Sequence, residues 1–358
     1  MPRAVLDMSD RRPVWAMPAW VPERIREVLP DGWELAVMED LTDGSGDGWA
    51  RVTPAALEAV ADAEIYFGYG IPAELLRAGP GLRWVHSGAA GVGSSLTPEM
   101  RASEVVFTNS AGIHAVPIAE TVLGMILYFN RGFHLAAANQ ARHVWTTEPY
   151  YAASSPVREL SETTVGLVGF GGIGREIARR VAGLGARVLA TKRTPPAHGD
   201  AALEAVAGGG SLEAFVTIHH GAQGLERVLR ESDVVVLCAP DTPETRGLLD
   251  AAALARMKRD ALLVNVGRGK LVDQDALVAA LKSGRLRGAG LDVFAHEPLA
   301  PGDPLWALPN VLVTPHVSAV TRHFWEREAG LIVRNLERHV AGAPVAEWEN
   351  VVDREVGY

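Results

Sequence analysis

Cysteine is nearly absent. Cys238 is the only one in 358 residues, so no internal disulfide is possible. It lies in the apolar run 234–239 and is read as an inert core residue, not a nucleophile. Positive charge is also in deficit: 34 Lys and Arg stand against 43 Asp and Glu, a formal net charge of −9. That balance argues against a general nucleic-acid or anionic-membrane surface. No apolar run approaches the ~20 residues of a membrane span. The N-terminal stretch MPRAVLDMSDRRPVWAMP has no continuous apolar h-region, so no signal peptide is expected. Internal repeats and low-complexity tails are missing too. Together these absences point to a cytoplasmic protein in a reducing compartment. What remains is 48% hydrophobic and 22% charged, the balance of a globular protein, in a chain long enough for about two domains.

Glycine, by contrast, is plentiful at 37 residues. It is most informative in the segment 164–174, TVGLVGFGGIG. Val165, Leu167 and Val168 form a short apolar run that reads as a buried parallel strand. The glycines then fall as Gly169-x-Gly171-x-x-Gly174, and Ile177, Val181 and Leu184 follow on one face at helical spacing. Strand, glycine turn and helix come in the order a dinucleotide site needs. Gly169 permits the tight turn, Gly171 lets backbone approach a pyrophosphate, and Gly174 lets helix pack on strand. Free N–H groups at the helix start face the anion. The competing reading is an ordinary turn of an α/β domain.

Before this segment, strands are expected at 14–17, 35–38, 64–67, 83–87 and 105–108. A helix is expected at 54–61, with Thr53 as N-cap and Pro54 at N1. The Asp/Gly-rich loop 40–48 reads as a solvated turn, because Pro54 stands where a calcium loop needs its bidentate Glu. Pro117 opens a long apolar helix at 118–129 that carries Glu120. The stretch 139–161, with Trp145, Tyr150 and Tyr151, reads as irregular and as a crossover between domains. A second nucleotide-domain strand is expected at 187–191, followed by an irregular insertion over 198–224 and a helix at 225–230. His219 and His220 have no suitably spaced carboxylate or cysteine partner, so a loop reading is preferred to a metal site. Strands at 234–237, 262–266, 289–293 and 311–314 then alternate with helices at 251–257 and 274–281. Such βαβ alternation implies a doubly wound parallel sheet. The last helix, 319–340, is expected to return to the first domain.

Three polar residues stand just past strand ends: Arg268 in NVGRG, Glu297 in GLDVFAHEP and His316 in VLVTPHVSA. In a doubly wound sheet the carboxyl ends of the strands line the ligand crevice, so the three are expected to converge beside the cofactor. Each alone has another reading: a surface ion pair for Arg268, a turn cap for Glu297, a loop histidine for His316.

Over about 71–351 the chain resembles the D-isomer-specific 2-hydroxyacid dehydrogenases, in particular their glyoxylate/hydroxypyruvate reductase-like members. The resemblance rests on AGPGLRWVHSGAAGVG, TNSAGIHAVPIAET, VGLVGFGGIGREIA, PDTPETRGLL, VNVGRGKLVD, GLDVFAHEPL and VTPHVSA, in this order. It implies an α/β protein of two doubly wound parallel-sheet domains. A Rossmann dinucleotide-binding domain (111–319) is inserted into a smaller, discontinuous flavodoxin-like substrate domain (1–110 and 320–358). It also implies a homodimer built mainly through the nucleotide domain, and no resident metal. The implied reaction moves a hydride between NAD(P)H and a small 2-oxo acid or D-2-hydroxy acid.

On that resemblance Arg268, Glu297 and His316 are the catalytic triad. Arg268 would hold the substrate carboxylate through its fork of donors and polarise the carbonyl. Protonated His316 would donate to the carbonyl oxygen, and Glu297 would orient its ring and favour the imidazolium. Backbone N–H groups of Ala90, Gly91 and Val92, in the loop 88–93, would grip the carboxylate too; a flexible turn is the alternative. That loop ends in Gly93, where family members commonly carry Asp. Asp292 resembles the acceptor for the nicotinamide carboxamide, with a structural Asp as its competitor. Further cofactor contacts are implied at Gly172, Ile173, Ala239, Pro240, Thr245, Val266, Gly267 and Ser318, besides Gly169, Gly171, Gly174, Arg268 and His316.

Cofactor choice turns on the end of the second strand, where a 2′-hydroxyl wants an acid about 20 residues past the glycines. Lys192, Arg193 and Thr194 stand there, with two cations and no acid. NADP(H) is therefore expected over NAD(H). Formate dehydrogenases of this fold carry Gln in place of the acidic triad member, which Glu297 disfavours. Phosphoglycerate dehydrogenases often add a regulatory C-terminal domain, for which no room is expected before Tyr358. A dinucleotide-sensing, corepressor-like protein is the alternative from another class, disfavoured by the intact triad. Residues around Tyr69, Trp84, the stretch 145–151, Phe324 and Trp325 are the candidates for setting the substrate side chain.

Overall fold

Among the described residues, every named strand runs in a parallel sheet. The computed structural model describes residues 1–42, 52–193, 216–355 and 357. They form two compact units, Met1–His114 with Val320–Tyr358, and Ala115–Ala319.

In the first unit the strands are β1 (Arg3–Asp7), β2 (Glu34–Val37), β3 (Ile65–Gly68), β4 (Trp84–Ser87) and β5 (Val106–Asn109). Their spatial order is β2-β1-β3-β4-β5, the flavodoxin-like arrangement. β3 and β4 are buried at every position, as strands covered on both faces must be. Thr53 caps the helix Pro54–Ala59 by accepting from Ala56 N at 3.1 Å.

The strand expected at 14–17 is not there. Pro13–Trp15 is a single 3₁₀ turn, and the first strand lies earlier, where Ala4, Val5 and Leu6 are fully buried. Pro13 lacks the N–H a ladder needs, whereas the short run RAVLD offers apolar residues to both faces. The helix Phe324–Val340 belongs to this unit and buries Phe324, Ile332 and Leu336 in one core with Leu6, Ile65 and Phe67. Trp84, Phe324 and Trp325 are core residues of this unit. Trp84 packs edge-to-face on Phe67 and Trp348 and donates Nε1–H to Thr108 at 2.9 Å.

The second unit holds β6 (Thr164–Val168), β7 (Arg187–Lys192), β8 (Val216–His220), β9 (Val234–Leu237), β10 (Ala261–Asn265), β11 (Leu286–Leu291) and β12 (Val311–Val313). The order is β12-β11-β10-β9-β6-β7-β8, a Rossmann sheet with one strand added at the end. The order in which strands are added reverses between β6 and β9, the switch point at which such sheets bind ligands. Gly288 and Gly290 weaken β11 by propensity but bring the helix Ala115–Asn130 close. A Cβ on Gly290 would stand 2.8 Å from Met125 Sδ, and one on Gly288 3.0 Å from Phe129.

Two stretches expected to be irregular carry structure. Residues 216–220 are β8, pairing with β7, and the helix Gly221–Glu231 follows. His219 and His220 therefore sit in a strand and not in a loop; the buried Val216 and the partly buried Ile218 supply the alternation. Most of the expected 198–224 insertion, and of the loop 40–48, lies outside the described residues. The segment 139–161 contains the helix Glu148–Tyr151 and the end of the helix Phe133–Ala141, and lies wholly inside the second unit. The chain changes unit at 114/115 and at 319/320 instead. No helix among the described residues is long and apolar enough to cross a membrane.

Candidate active site

β6 ends at Val168, and Gly169 turns the chain at φ +101°, a conformation L side chains rarely adopt. A Cβ there would meet Ala239 N at 2.9 Å. Gly174 sits against that turn: its Cβ would approach Gly169 O to 2.6 Å, so helix and strand touch through hydrogen. Gly171 differs, because a Cβ built on it meets nothing within 4 Å. Space is thus kept on the outer side of the turn, at the start of the helix Gly172–Gly183. The N–H groups of Gly172, Ile173 and Gly174 precede the first intrahelical donor, that of Arg175 to Gly171 O. Open space plus three outward donors and the positive end of a helix suits a pyrophosphate. Cys238 donates its thiol to Gly169 O at 3.0 Å, and burial pushes its pKa up to about 12. It braces the turn and is no nucleophile.

Beside this turn, Thr245 Oγ1 bonds Pro240 O (2.6 Å) and receives Thr242 N–H (2.8 Å), closing the loop that begins at Ala239. Lys192 ends β7, in register with His220 on β8. Arg193 lies near enough to Glu244 to help hold that carboxyl below its usual range, after the Thr242 hydrogen bond that dominates. Thr194 lies outside the described residues.

Arg268 follows β10 and the buried Val266, in a turn that only glycines allow. Gly267 would put a Cβ 2.9 Å from Ala239 O, and Gly269 would put one 1.8 Å from the carbonyl carbon of Phe294. The second contact presses the Arg268 turn onto the segment that leads to Glu297. Asn265, buried at the end of β10, donates Nδ2–H to Arg268 O (3.0 Å) and accepts Gly267 N–H (3.1 Å). Arg268 Nη1 donates to Gly267 O at 2.7 Å.

Glu297 Oε1 accepts Phe294 N–H at 2.9 Å, and Oε2 lies 2.8 Å from His316 Nδ1. His316 is held at φ +54°, with its backbone N–H on Asp292 O at 2.9 Å. Both side chains keep about a third of their surface open, 34% for His316 and 35% for Glu297, so the pair faces outward. The hydrogen bond to Glu297 raises the His316 pKa above its ordinary value; burial and Arg268 oppose, and the charges of Glu297 and Asp292 assist. For Glu297, burial pushes up most strongly, yet the bonds from His316 and Phe294 N–H and the charges of His316 and Arg268 carry it below its usual range. Arg268 therefore lies within electrostatic reach of both partners.

Asp292 is fully buried. Its Oδ1 accepts Thr314 Oγ1–H (2.6 Å) and Val317 N–H (3.0 Å), and its Oδ2 accepts Ser318 N–H (3.0 Å). One carboxylate thus moulds the loop that presents His316. Asn265 and Thr314 were not singled out from the sequence. The signal was a polar residue closing an otherwise apolar strand, ALLVN in one case and VLVT in the other.

The chain matches the family model described as D-isomer specific 2-hydroxyacid dehydrogenase, NAD binding domain, over residues 123–318. The chain belongs to that family. The glycerate dehydrogenase of Methylorubrum extorquens is 32% identical over 302 residues, covering 83% of this chain and 88% of that one. A family member from Xanthobacter autotrophicus Py2, solved in complex with NADPH and MES, is 30% identical with a TM-score of 0.76, and 100% of each chain is covered. The NADPH-dependent glyoxylate/hydroxypyruvate reductase of Sinorhizobium meliloti, solved with NADP and sulfate, is 26% identical with a TM-score of 0.74, again over 100% of both chains. An oxidoreductase of the NAD(P)-dependent 2-hydroxyacid class is thus established. Among the described residues, no group of three or more His, Cys, Asp or Glu could hold a metal ion.

In the first unit the loop after β4 begins at Gly88, where a Cβ would meet Met8 Cε at 2.3 Å. Asn109 Nδ2 donates to Ala90 O at 3.0 Å, and Ser110 N–H to Ala89 O at 3.3 Å. The carbonyls are pinned from β5. The N–H groups of Ala90, Gly91 and Val92 find no acceptor among the described residues. Gly93 meets nothing within 4 Å of its Cβ position.

Proposed function

We propose that this enzyme reduces small 2-oxo acids, of the glyoxylate and hydroxypyruvate kind, to D-2-hydroxy acids with NADPH. The observation that carries the reading is the His316–Glu297 pair, 2.8 Å apart and within the field of Arg268. With Nδ1 engaged by Glu297, His316 Nε2 is the nitrogen available to the substrate. It gives its proton to the carbonyl oxygen in reduction and recovers it in oxidation. The bound nicotinamide supplies or accepts the hydride. Arg268 pairs with the substrate carboxylate and draws charge from the adjacent carbonyl. The unsatisfied N–H groups of Ala90, Gly91 and Val92 are suited to a carboxylate.

NADPH is preferred because Lys192, the last residue of β7, and Arg193 after it stand where an NAD site keeps an acid. The NADPH-bound and NADP-bound relatives agree with this choice. A homodimer is proposed as well, through the exposed apolar side chains of Phe133, Val144, Trp145 and Tyr151. The test follows absorbance of the reduced nicotinamide across a panel of 2-oxo acids with NADPH and NADH. Turnover of glyoxylate or hydroxypyruvate with higher kcat/KM for NADPH is expected. Higher kcat/KM for NADH overturns the cofactor assignment; no turnover of any 2-oxo acid overturns the substrate assignment.

A further inference from the structure

Beneath the loop 88–93 lies a chain of polar side chains with no part in the chemistry above. Trp84 Nε1–H donates to Thr108 Oγ1 at 2.9 Å, and Thr108 Oγ1 lies 2.8 Å from His86 Nδ1. His86 Nε2 lies 2.9 Å from Glu328 Oε1, and Ser110 Oγ is 2.7 Å from Glu328 Oε2 and 2.9 Å from Ser87 O. His86, Ser87, Thr108, Ser110 and Glu328 are all fully buried.

The proton count closes in one way. Thr108 takes the indole N–H and turns its own proton to Nδ1. Nε2 is then the protonated nitrogen and donates to Glu328, an assignment that follows from the network. Stability is a poor reason for this arrangement, since apolar replacement of a buried charged group is often neutral or stabilising. Its position offers a better one. Ser110 also donates its backbone N–H to Ala89 O, and its neighbour Asn109 holds Ala90 O. With its single hydroxyl proton given to the carboxylate, Ser110 is held in place, and its backbone N–H ties β5 to Ala89 O, where the loop starts.

We propose that Glu328 and His86 are positioning residues, acting through Ser110 to hold the loop 88–93 so that its N–H groups meet the substrate carboxylate. This rests on the reading of that loop as a carboxylate clamp. Ser110→Ala is the cleanest variant, because it removes one small hydroxyl and leaves the His86–Glu328 pair. It should raise KM for the 2-oxo acid about tenfold, with kcat changed less than about twofold and NADPH affinity unaltered. Glu328→Met should do the same, by orphaning the His86 N–H. Glu328→Gln should recover most of the loss: its carbonyl still accepts from His86, its amide donates to Ser110 Oγ, and the hydroxyl proton turns to Ser87 O.

A drop in melting temperature with KM unchanged in Ser110→Ala overturns the proposal, whether or not Glu328→Met folds. Gly91→Pro, which deletes one loop N–H, separates the two layers. If it leaves KM unchanged, the clamp reading falls and takes this inference with it. If it raises KM while Ser110→Ala does not, the network alone falls.

Discussion

Two ionisable residues report on this protein in opposite ways. His316 must enter reduction protonated, and its pKa is raised by its bond to Glu297. For reduction, kcat/KM should therefore hold a plateau below that raised pKa and fall as pH climbs through it; oxidation should show the reverse. Replacing Glu297 by Gln removes the carboxylate, so the falling limb moves to lower pH in a measured pH–rate profile. His316→Gln should cost roughly 10²–10⁴ in kcat with NADPH binding intact. Asp7 carries the second signal. Burial raises its carboxyl to about 6, with the Tyr66 hydroxyl opposing and Asp40 adding to the rise. The folded chain therefore holds this proton more tightly than the unfolded one. The stability it brings is complete below the ordinary carboxylate range and is lost as pH rises to about 6. Asp7→Asn keeps an acceptor for Tyr66, so it should be more stable than the parent at pH 8, on the order of 2–3 kcal/mol, and equal to it near pH 3. Denaturant melts at the two pH values check this.

At the scale of elements, the turn between β6 and the helix Gly172–Gly183 separates two demands on glycine. Gly174 answers to the protein: an added methyl would stand 2.6 Å from Gly169 O, so Gly174→Ala should lower the melting temperature and distort the turn. Gly171 answers to the ligand. Its φ of −91° and ψ of −155° suit any residue, and a methyl would meet no protein atom within 4 Å. Gly171→Ala should keep the melting temperature of the parent while weakening NADPH at least about tenfold in a fluorescence titration. Equal NADPH affinity in that variant would place the pyrophosphate elsewhere. The βαβ pattern made most elements legible in advance, because buried parallel strands are continuous apolar runs bounded by glycine. β1 was missed because it is short, with only three apolar residues between Arg3 and Asp7. β8 was missed because its polar residues, Thr217, His219 and His220, mask the buried Val216 and the partly buried Ile218 on an edge strand.

For the molecule as a whole, the exposed apolar set within 133–151 sits on one segment of the second unit, with Trp145 at 95% exposure. Isolated exposed apolar side chains are ordinary, but several on one stretch mark a surface meant for cover. Light scattering should find a dimer in the parent chain, and Trp145→Glu with Phe133→Glu should shift it toward monomer. A parent chain that scatters as a monomer at micromolar concentration overturns the dimer.

Amino-acid order alone determined the parallel α/β class and the glycine turn and pointed to Arg268, Glu297 and His316, because hydrophobic period, backbone freedom and proton chemistry are local properties. Tertiary structure decided what each polar residue does. Asp292 is spent on the His316 loop, Asn265 on the Arg268 turn, and Glu328 meets His86 from 242 positions away. Such partners are set by how strands and helices stack, and nothing in the spacing of residues along a chain carries that distance.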